Sequence, residues 1–528
     1  MADVSDERVR VRVWTETGPG RAPEQRAGVL AAPLPQTAVC FSGGGTRSMA
    51  ATVGQLRGLA ALGLLDRVGY LSCVSGSSWA VVPYLYAADG GDRLGAVTGP
   101  EHLTRAGLDR LDARSLLLPA TRRFRDTLET LEAGGTVRPD EVWVRAIGET
   151  FLEPCGLYDS ADPVGFGPAS GSVAPGAVGG AAAASRCHRP QAAQPFPVVY
   201  STLNWPKTRS TRQQRLPFEY TPLYVGAPQR RVLWDPQAGA RTVGGTFVEP
   251  LGFGGDPPEA DVDADGRVAV PPPPRPFTLA DMIGASSAVA TSDRDVRAYP
   301  HASYWTLSAD GGPCAVNDLF TDGGDVDTLA LLGMLRRQIP AVVVFINSVW
   351  PLALDHDPRH WPQSGQIDPA VAPLFGQPSA RWPHNRVFPS PAYREVVSAW
   401  QAAKRAGRPL VASTRLRVDA NPWWGIEGGW ELSVCWVYND RVATWEAGLR
   451  DEVRRVLPSS AGETPDAPLT RFPHYRTVGE NAGALTRLMP IQANLLAELA
   501  GWGVLEASDT LRAVLGPGGP RCPPTRPS

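Results

Sequence analysis

The 528-residue chain lacks net charge, long apolar runs and paired cysteines, and each shortage removes a class of function. Its 51 basic and 53 acidic residues leave a formal charge of −2, so no overall field draws it to nucleic acid or to an anionic membrane surface. No uncharged apolar stretch reaches the roughly 18 residues of a membrane-spanning helix. The opening residues, MADVSDERVRVRVW, carry charges where a secretory leader would carry its apolar core. A soluble, cytoplasmic protein is expected. The seven cysteines (Cys40, Cys73, Cys155, Cys187, Cys314, Cys435, Cys522) are odd in number and scattered, with no CxxC pair to suggest zinc or redox chemistry. Free thiols are expected. No internal repeat is evident. With 43% hydrophobic residues the chain can still bury a large core, as one big unit or up to about three domains.

Glycine (55) and proline (52) are plentiful and cluster where linkers or loops belong. Residues 1–35 read as an N-terminal extension, residues 36–510 as one catalytic unit, and residues 511–528 as a frayed tail. Within the unit, Gly165 to Pro195 is so poor in large apolar residues that a disordered insertion is expected, and PPPPRP (Pro271 to Pro276) should be polyproline-like.

The clearer periodicities lie between these stretches. TAVCFSGGG is a short apolar strand running into glycines, and the next segment spaces Met49, Val53, Leu56, Leu59 and Leu62 three or four apart, as on one helix face. GYLSCVS is a second strand and GSSWAVVPYLYA a second helix. FPVVYSTLNW (Phe196 to Trp205) and AVVVFINSVW (Ala341 to Trp350) read as further buried strands. Strand, glycine loop, helix, strand, sharp turn, helix predicts an α/β fold with a mainly parallel central sheet, helices on both faces and loop insertions.

That sharp turn carries Ser75. A serine hydroxyl is a poor nucleophile, and acyl transfer needs it exposed, near a base, and close to N–H donors aimed at the developing oxyanion. In a nucleophile elbow the serine sits between strand and helix with small neighbours; Gly76 and Ser77 qualify, while Cys73 occupies the position usually held by glycine. The plainer alternative is a serine that caps the following helix. The donors could come from SGGGTR, Ser42 to Arg47, whose glycines leave backbone N–H groups bare at a helix start. Such a loop could hold either an oxyanion or a phosphate.

GGGTRSM, SGSSW and the later TDGG (Thr321 to Gly324) resemble, in this order, the oxyanion, nucleophile and acid motifs of patatin-like phospholipases, particularly the cytosolic phospholipase A and lysophospholipase catalytic domains. PFEYTPLYVGA, TLADMIGASSAVA and RFPHY add to the likeness, which spans about Gln36 to Leu505. The resemblance implies a patatin-like α/β hydrolase with a Ser-Asp dyad: Ser75 as nucleophile, Asp322 as base, Gly43, Gly44 and Gly45 at the oxyanion, and Arg47 on the lipid phosphate. It implies a phospholipid or lysophospholipid substrate, transient membrane-surface contact and no metal or organic cofactor. The calcium dependence of some relatives resides in a separate membrane-binding module, for which the stretch before Gln36 is too short. A lipid acyltransferase, or a catalytically silent lipid-binding scaffold, would carry the same residues.

Competing features have plainer readings. None of the seven histidines has a glycine-flanked strand-end setting that would make a triad. Asp325 and Asp327 compete with Asp322, and Arg47 could simply pair with a carboxylate. Ser286, in GASSA, lacks a preceding glycine loop and reads as part of a packed helix. DVDADG (Asp261 to Gly266) starts like a calcium loop but has Pro272 where the bidentate glutamate belongs. In DHDPRH, Pro358 separates His356 from His360 and argues for a loop. Ten of the 16 tryptophans follow residue 349; most should be core, some could meet a lipid interface.

Overall fold

Five apolar strands run parallel through the middle of the sheet, in the spatial order Phe196–Trp205, Tyr70–Val74, Thr37–Phe41, Ala341–Ile346 and Glu431–Tyr438. The computed structural model describes residues 8–15, 22–26, 28–169, 187–206, 214–236, 239–256, 263–289, 296–307, 313–458, 469–477 and 487–516. The central strands are apolar on both sides because both faces are covered. Val39, Phe41, Leu71 and Cys73 point into one core cluster, and Ala38, Cys40, Tyr70 and Val74 into the other. Helices Gly45–Ala61 and Pro490–Glu506 lie on the first face, packed so closely that a Cβ on Gly54 would stand 2.0 Å from the Ala497 carbonyl oxygen. Helices Leu332–Arg336 and Pro391–Arg405 cover the second.

The fold class is α/β, but the sheet is mixed rather than mainly parallel. Among the described residues thirteen strands join it, and every ladder outside the central five is antiparallel. Parallel neighbours need long crossovers, which the helices supply at the centre; on the flanks a short connection such as residues 221–224, between Gln214–Tyr220 and Val225–Ala227, can only return the chain antiparallel.

The ends of the chain are more integrated than their composition suggests. Val9–Thr15, within the expected extension, pairs with Thr246–Val248 and Arg267–Val270, its alternating apolar and arginine residues forming a half-buried strand. Glu24 is buried and bonds the Arg337 guanidinium at 2.8 Å. At the other end Ser508–Leu515 is helical, with Leu511, Val514 and Leu515 buried, where a frayed tail was expected from residue 511; residues 517–528 lie outside the described residues. Of the expected insertion, Gly165–Phe166 pairs with Cys187–His188, and 170–186 lie outside the described residues. Among the described residues no helix is long and apolar enough to cross a membrane.

One register positions the site. The long strand Phe196–Trp205 shares a single edge between two partners: Tyr70–Val74 runs parallel to it as far as Val74 opposite Tyr200, and Pro313–Asp322 runs antiparallel, with Asp322 opposite Ser201. Two strands advancing from opposite directions therefore end at adjacent residues of a third.

Candidate active site

Ser75 stands where the first of these strands breaks off. Its φ of +56° is one of three positive values among the described non-glycine residues, a conformation that costs an L-residue on the order of 1–3 kcal/mol. The surroundings hold it. The buried Ser75 amide donates to Ser286 Oγ at 2.9 Å, and the Ser75 carbonyl accepts from Ser78 Oγ at 2.6 Å. Ser77 Oγ ties the turn to the neighbouring strand through the carbonyls of Val74 (2.8 Å) and Phe41 (3.0 Å). The Ser75 side chain makes no helix-capping hydrogen bond. Instead Ser75 Oγ donates to Asp322 Oδ2 at 2.6 Å.

Asp322 is buried and tightly placed. Its Oδ1 accepts from the Gly324 amide at 2.8 Å, its own amide donates to the Ala288 carbonyl, and its carbonyl accepts from Thr202 Oγ1. Burial pushes the carboxyl up to about 6, with Asp325 adding to the rise, while the bonds from Ser75 and Gly324 and the more distant Arg381 pull it down. The competing carboxylates are occupied elsewhere. Asp325 meets Arg381 at 3.1 Å, and Asp327 accepts the amides of Leu329 and Leu332.

The glycine loop lies beside the serine. A Cβ on Gly43 would stand 3.1 Å from Ser75 Cβ, and one on Gly76 would stand 2.1 Å from the Gly45 carbonyl oxygen, so the two turns meet backbone to backbone. The three glycine amides are not equivalent. Gly43 N–H is spent on the Thr328 carbonyl at 2.9 Å, whereas the Gly44 and Gly45 amides have no hydrogen-bond partner among the described residues. Gly44 and Gly45 have φ of +138° and +59°, values that glycine adopts without penalty.

Arg47 is buried, and not on a surface carboxylate. Nη1 donates to the Tyr475 carbonyl at 2.6 Å and Nε to the Asn347 carbonyl at 3.1 Å, while Nη2 is directed at Gly44. Burial lowers its pKa to about 10, with the charge of Asp368 working against the fall, which leaves it charged at neutral pH; no carboxylate lies within salt-bridge distance of it among the described residues.

Ser75, Asp322, the glycines and Arg47 are thus brought together, and a further residue joins them. Ser286, read as part of a packed helix, is buried at the end of helix Leu279–Ser286 as expected and in addition accepts the Ser75 amide; the carbonyls of Ser286 and Ala288 also hold Gly323 and Asp322. No local sequence signal marks this contact, because its partner lies 211 residues away. His356 bonds Tyr393 and His360 faces Asp357, so the two do not converge. In the DVDADG stretch, Asp263 accepts amides of its own turn and pairs with Arg10; residues 261 and 262 lie outside the described residues. Trp400, Trp424, Trp436 and Trp445 are core, and the most exposed tryptophan described is Trp234, at 69%, next to Val232 on the hairpin Arg231–Asp235/Gly239–Val243.

No family model matches the chain. Cytosolic phospholipase A2 zeta of Mus musculus is 60% identical to it over 48 residues, 9% of this chain and 6% of that protein. The Homo sapiens zeta and beta proteins are 58% and 50% identical over stretches of the same length and coverage. Among solved structures, human GIVD cytosolic phospholipase A2 aligns at 15% identity and a TM-score of 0.43, covering 91% of this chain and 60% of that one. The same human protein in complex with methyl gamma-linolenyl fluorophosphonate aligns at 18% identity and a TM-score of 0.41, over 91% and 59%. The chain thus spans about 60% of the solved relative's length, and the matched sequence segment a small fraction of the curated ones. Through that segment, the chain resembles the cytosolic phospholipases A2.

Proposed function

We propose that this chain is a serine lipid acyl hydrolase of the patatin-like, cytosolic phospholipase A type, which cleaves fatty acyl esters of glycerophospholipids or lysophospholipids through a Ser75–Asp322 dyad. The observation that carries this reading is the 2.6 Å hydrogen bond from Ser75 Oγ to a buried carboxylate whose pKa is raised toward the working pH of a general base. Asp322 takes the Ser75 proton as Oγ attacks the acyl carbonyl. The oxyanion accepts from the Gly44 and Gly45 amides, while Gly43, with its N–H spent on Thr328, shapes the loop rather than donating. Collapse expels the alkoxide, which takes the proton from Asp322. Water, deprotonated by the same carboxylate, then cleaves the acyl-enzyme to free fatty acid. No step requires a metal or organic cofactor.

Arg47 serves the phosphate in this account. A buried guanidinium offset only by the charge of Asp368, beyond salt-bridge distance, is costly, and an anion arriving at Nη2 would relieve that cost. Access to lipid is assigned to a transient contact with the membrane surface, for which the hairpin bearing Val232 and Trp234 is suited: the two share one strand face and are 72% and 69% exposed.

The test is incubation with a phospholipid carrying two distinguishable acyl chains, with product analysis beside Ser75→Ala and Asp322→Asn. The proposal predicts free fatty acid from the parent and none above background from Ser75→Ala. Appearance of the acyl group on an added alcohol or lipid instead of water would make the enzyme an acyltransferase. Equal release by parent and variants would overturn the dyad, and no release by any would favour a lipid-binding scaffold.

A further inference from the structure

The helix that follows the glycine loop, Gly45–Ala61, begins without a side-chain cap of its own, because its N-cap residue is Gly44. The first turn of a helix has amides with no intrahelical partner, and a Ser, Thr, Asp or Asn at the N-cap ordinarily accepts one from the second or third helical residue. Here the hydroxyl arrives from 430 residues away. Thr477, 1% exposed, accepts from the Arg47 amide, the third of the helix, at 3.4 Å, and donates to the Gly44 carbonyl at 2.8 Å.

The second bond bears on chemistry. A peptide unit is planar and trans, so its C=O and N–H point in opposite directions. Holding the Gly44 carbonyl therefore fixes the direction of the Gly45 N–H. Glycines flank this peptide on both sides with φ of +138° and +59°, so no side chain of its own restrains its rotation; besides Thr477, the Gly44 carbonyl is held by the Ser48 amide, at a longer 3.3 Å. The segment that delivers Thr477 is itself pinned, since Arg47 Nη1 donates to the Tyr475 carbonyl at 2.6 Å and Arg47 Nε to the Asn347 carbonyl at 3.1 Å.

We infer that Thr477 is a positioning residue that aims the Gly45 amide at the oxyanion, and that it makes the 469–477 segment part of the catalytic apparatus. The inference rests on the acyl-hydrolase reading above. A donor that wanders from its direction stabilises the developing oxyanion less while leaving ground-state binding almost unchanged, so the loss falls on kcat.

The test compares parent, Ser75→Ala, Thr477→Val and Thr477→Ser on a chromogenic fatty acyl ester, with thermal unfolding of each. Thr477→Val keeps the shape and removes the hydroxyl, and kcat should fall about 10- to 100-fold with KM little changed. Thr477→Ser should restore most of kcat. A purely structural cap would lower Tm in Thr477→Val and leave kcat alone. That result, or a Ser variant as slow as the Val variant, overturns the inference while leaving the hydrolase reading intact. A parent no more active than Ser75→Ala overturns the hydrolase reading, and the inference with it.

Discussion

Asp322 is asked to be ionised in a place that disfavours charge. With a folded pKa of about 6 against an ordinary 3.8, its carboxylate must be deprotonated before it can accept the Ser75 proton, so kcat/KM should rise through about pH 6 and level off above it. The stability sign is opposite. The native state holds this proton more tightly than the unfolded chain, so stability falls as pH rises from about 4 to 6, by a total on the order of 3 kcal/mol. Asp322→Asn removes the charge and keeps the shape: at pH 7 it should lower turnover about 10³-fold or more and match or exceed the parent in Tm. Ser286 makes a separable contribution. Ser286→Ala leaves the buried Ser75 amide without its acceptor, which should cost about 1–3 kcal/mol in urea unfolding and slow acylation.

At the scale of elements, the elbow depends on where two strands stop. Val74 and Asp322 fall opposite Tyr200 and Ser201, so the serine that follows Val74 meets Asp322 across 247 residues of sequence by virtue of register. The strand–glycine–helix–strand–turn pattern was legible because apolar runs and helical spacing are local signals. The antiparallel flanks were not, since short half-buried strands such as Val9–Thr15 mix apolar residues with arginines and resemble exposed chain. Ser286 and Thr477 escaped for a related reason: each acts through one hydroxyl whose partner lies 211 or 430 residues away. Cys73 is instructive here. It fills a glycine position of the usual elbow, yet its side chain is fully buried in the core that lies under the helices Gly45–Ala61 and Ser78–Tyr86. Cys73→Gly should therefore keep the elbow and its reactivity while losing about 1–3 kcal/mol to the cavity and the added backbone freedom, as read by thermal unfolding beside an activity assay.

Across the whole molecule, distant parts of the chain are locked by a buried ionic cluster. Glu219 accepts from Arg336 at 2.9 Å and from Arg337 at 2.8 Å, and Arg337 also bonds Glu24 from the N-terminal region. Burial alone would raise the Glu219 pKa, but the two guanidiniums outweigh it and hold it at about 2. Its contribution is present above about pH 4.5 and is lost as the pH falls toward 2. Glu219→Gln removes the charge these arginines share and should destabilise the protein by about 3–5 kcal/mol, measured by denaturant unfolding at pH 7. The same cluster ties Glu24, and with it the described segment 22–26, into the body of the fold.

The central claim is that Ser75, activated by Asp322, is the nucleophile. Treatment with a fluorophosphonate followed by peptide mass mapping tests it most directly. The account predicts a single covalent adduct on Ser75, absent in Ser75→Ala and formed much more slowly in Asp322→Asn. An adduct on another serine, such as Ser286, or labelling that Asp322→Asn does not slow, would contradict it.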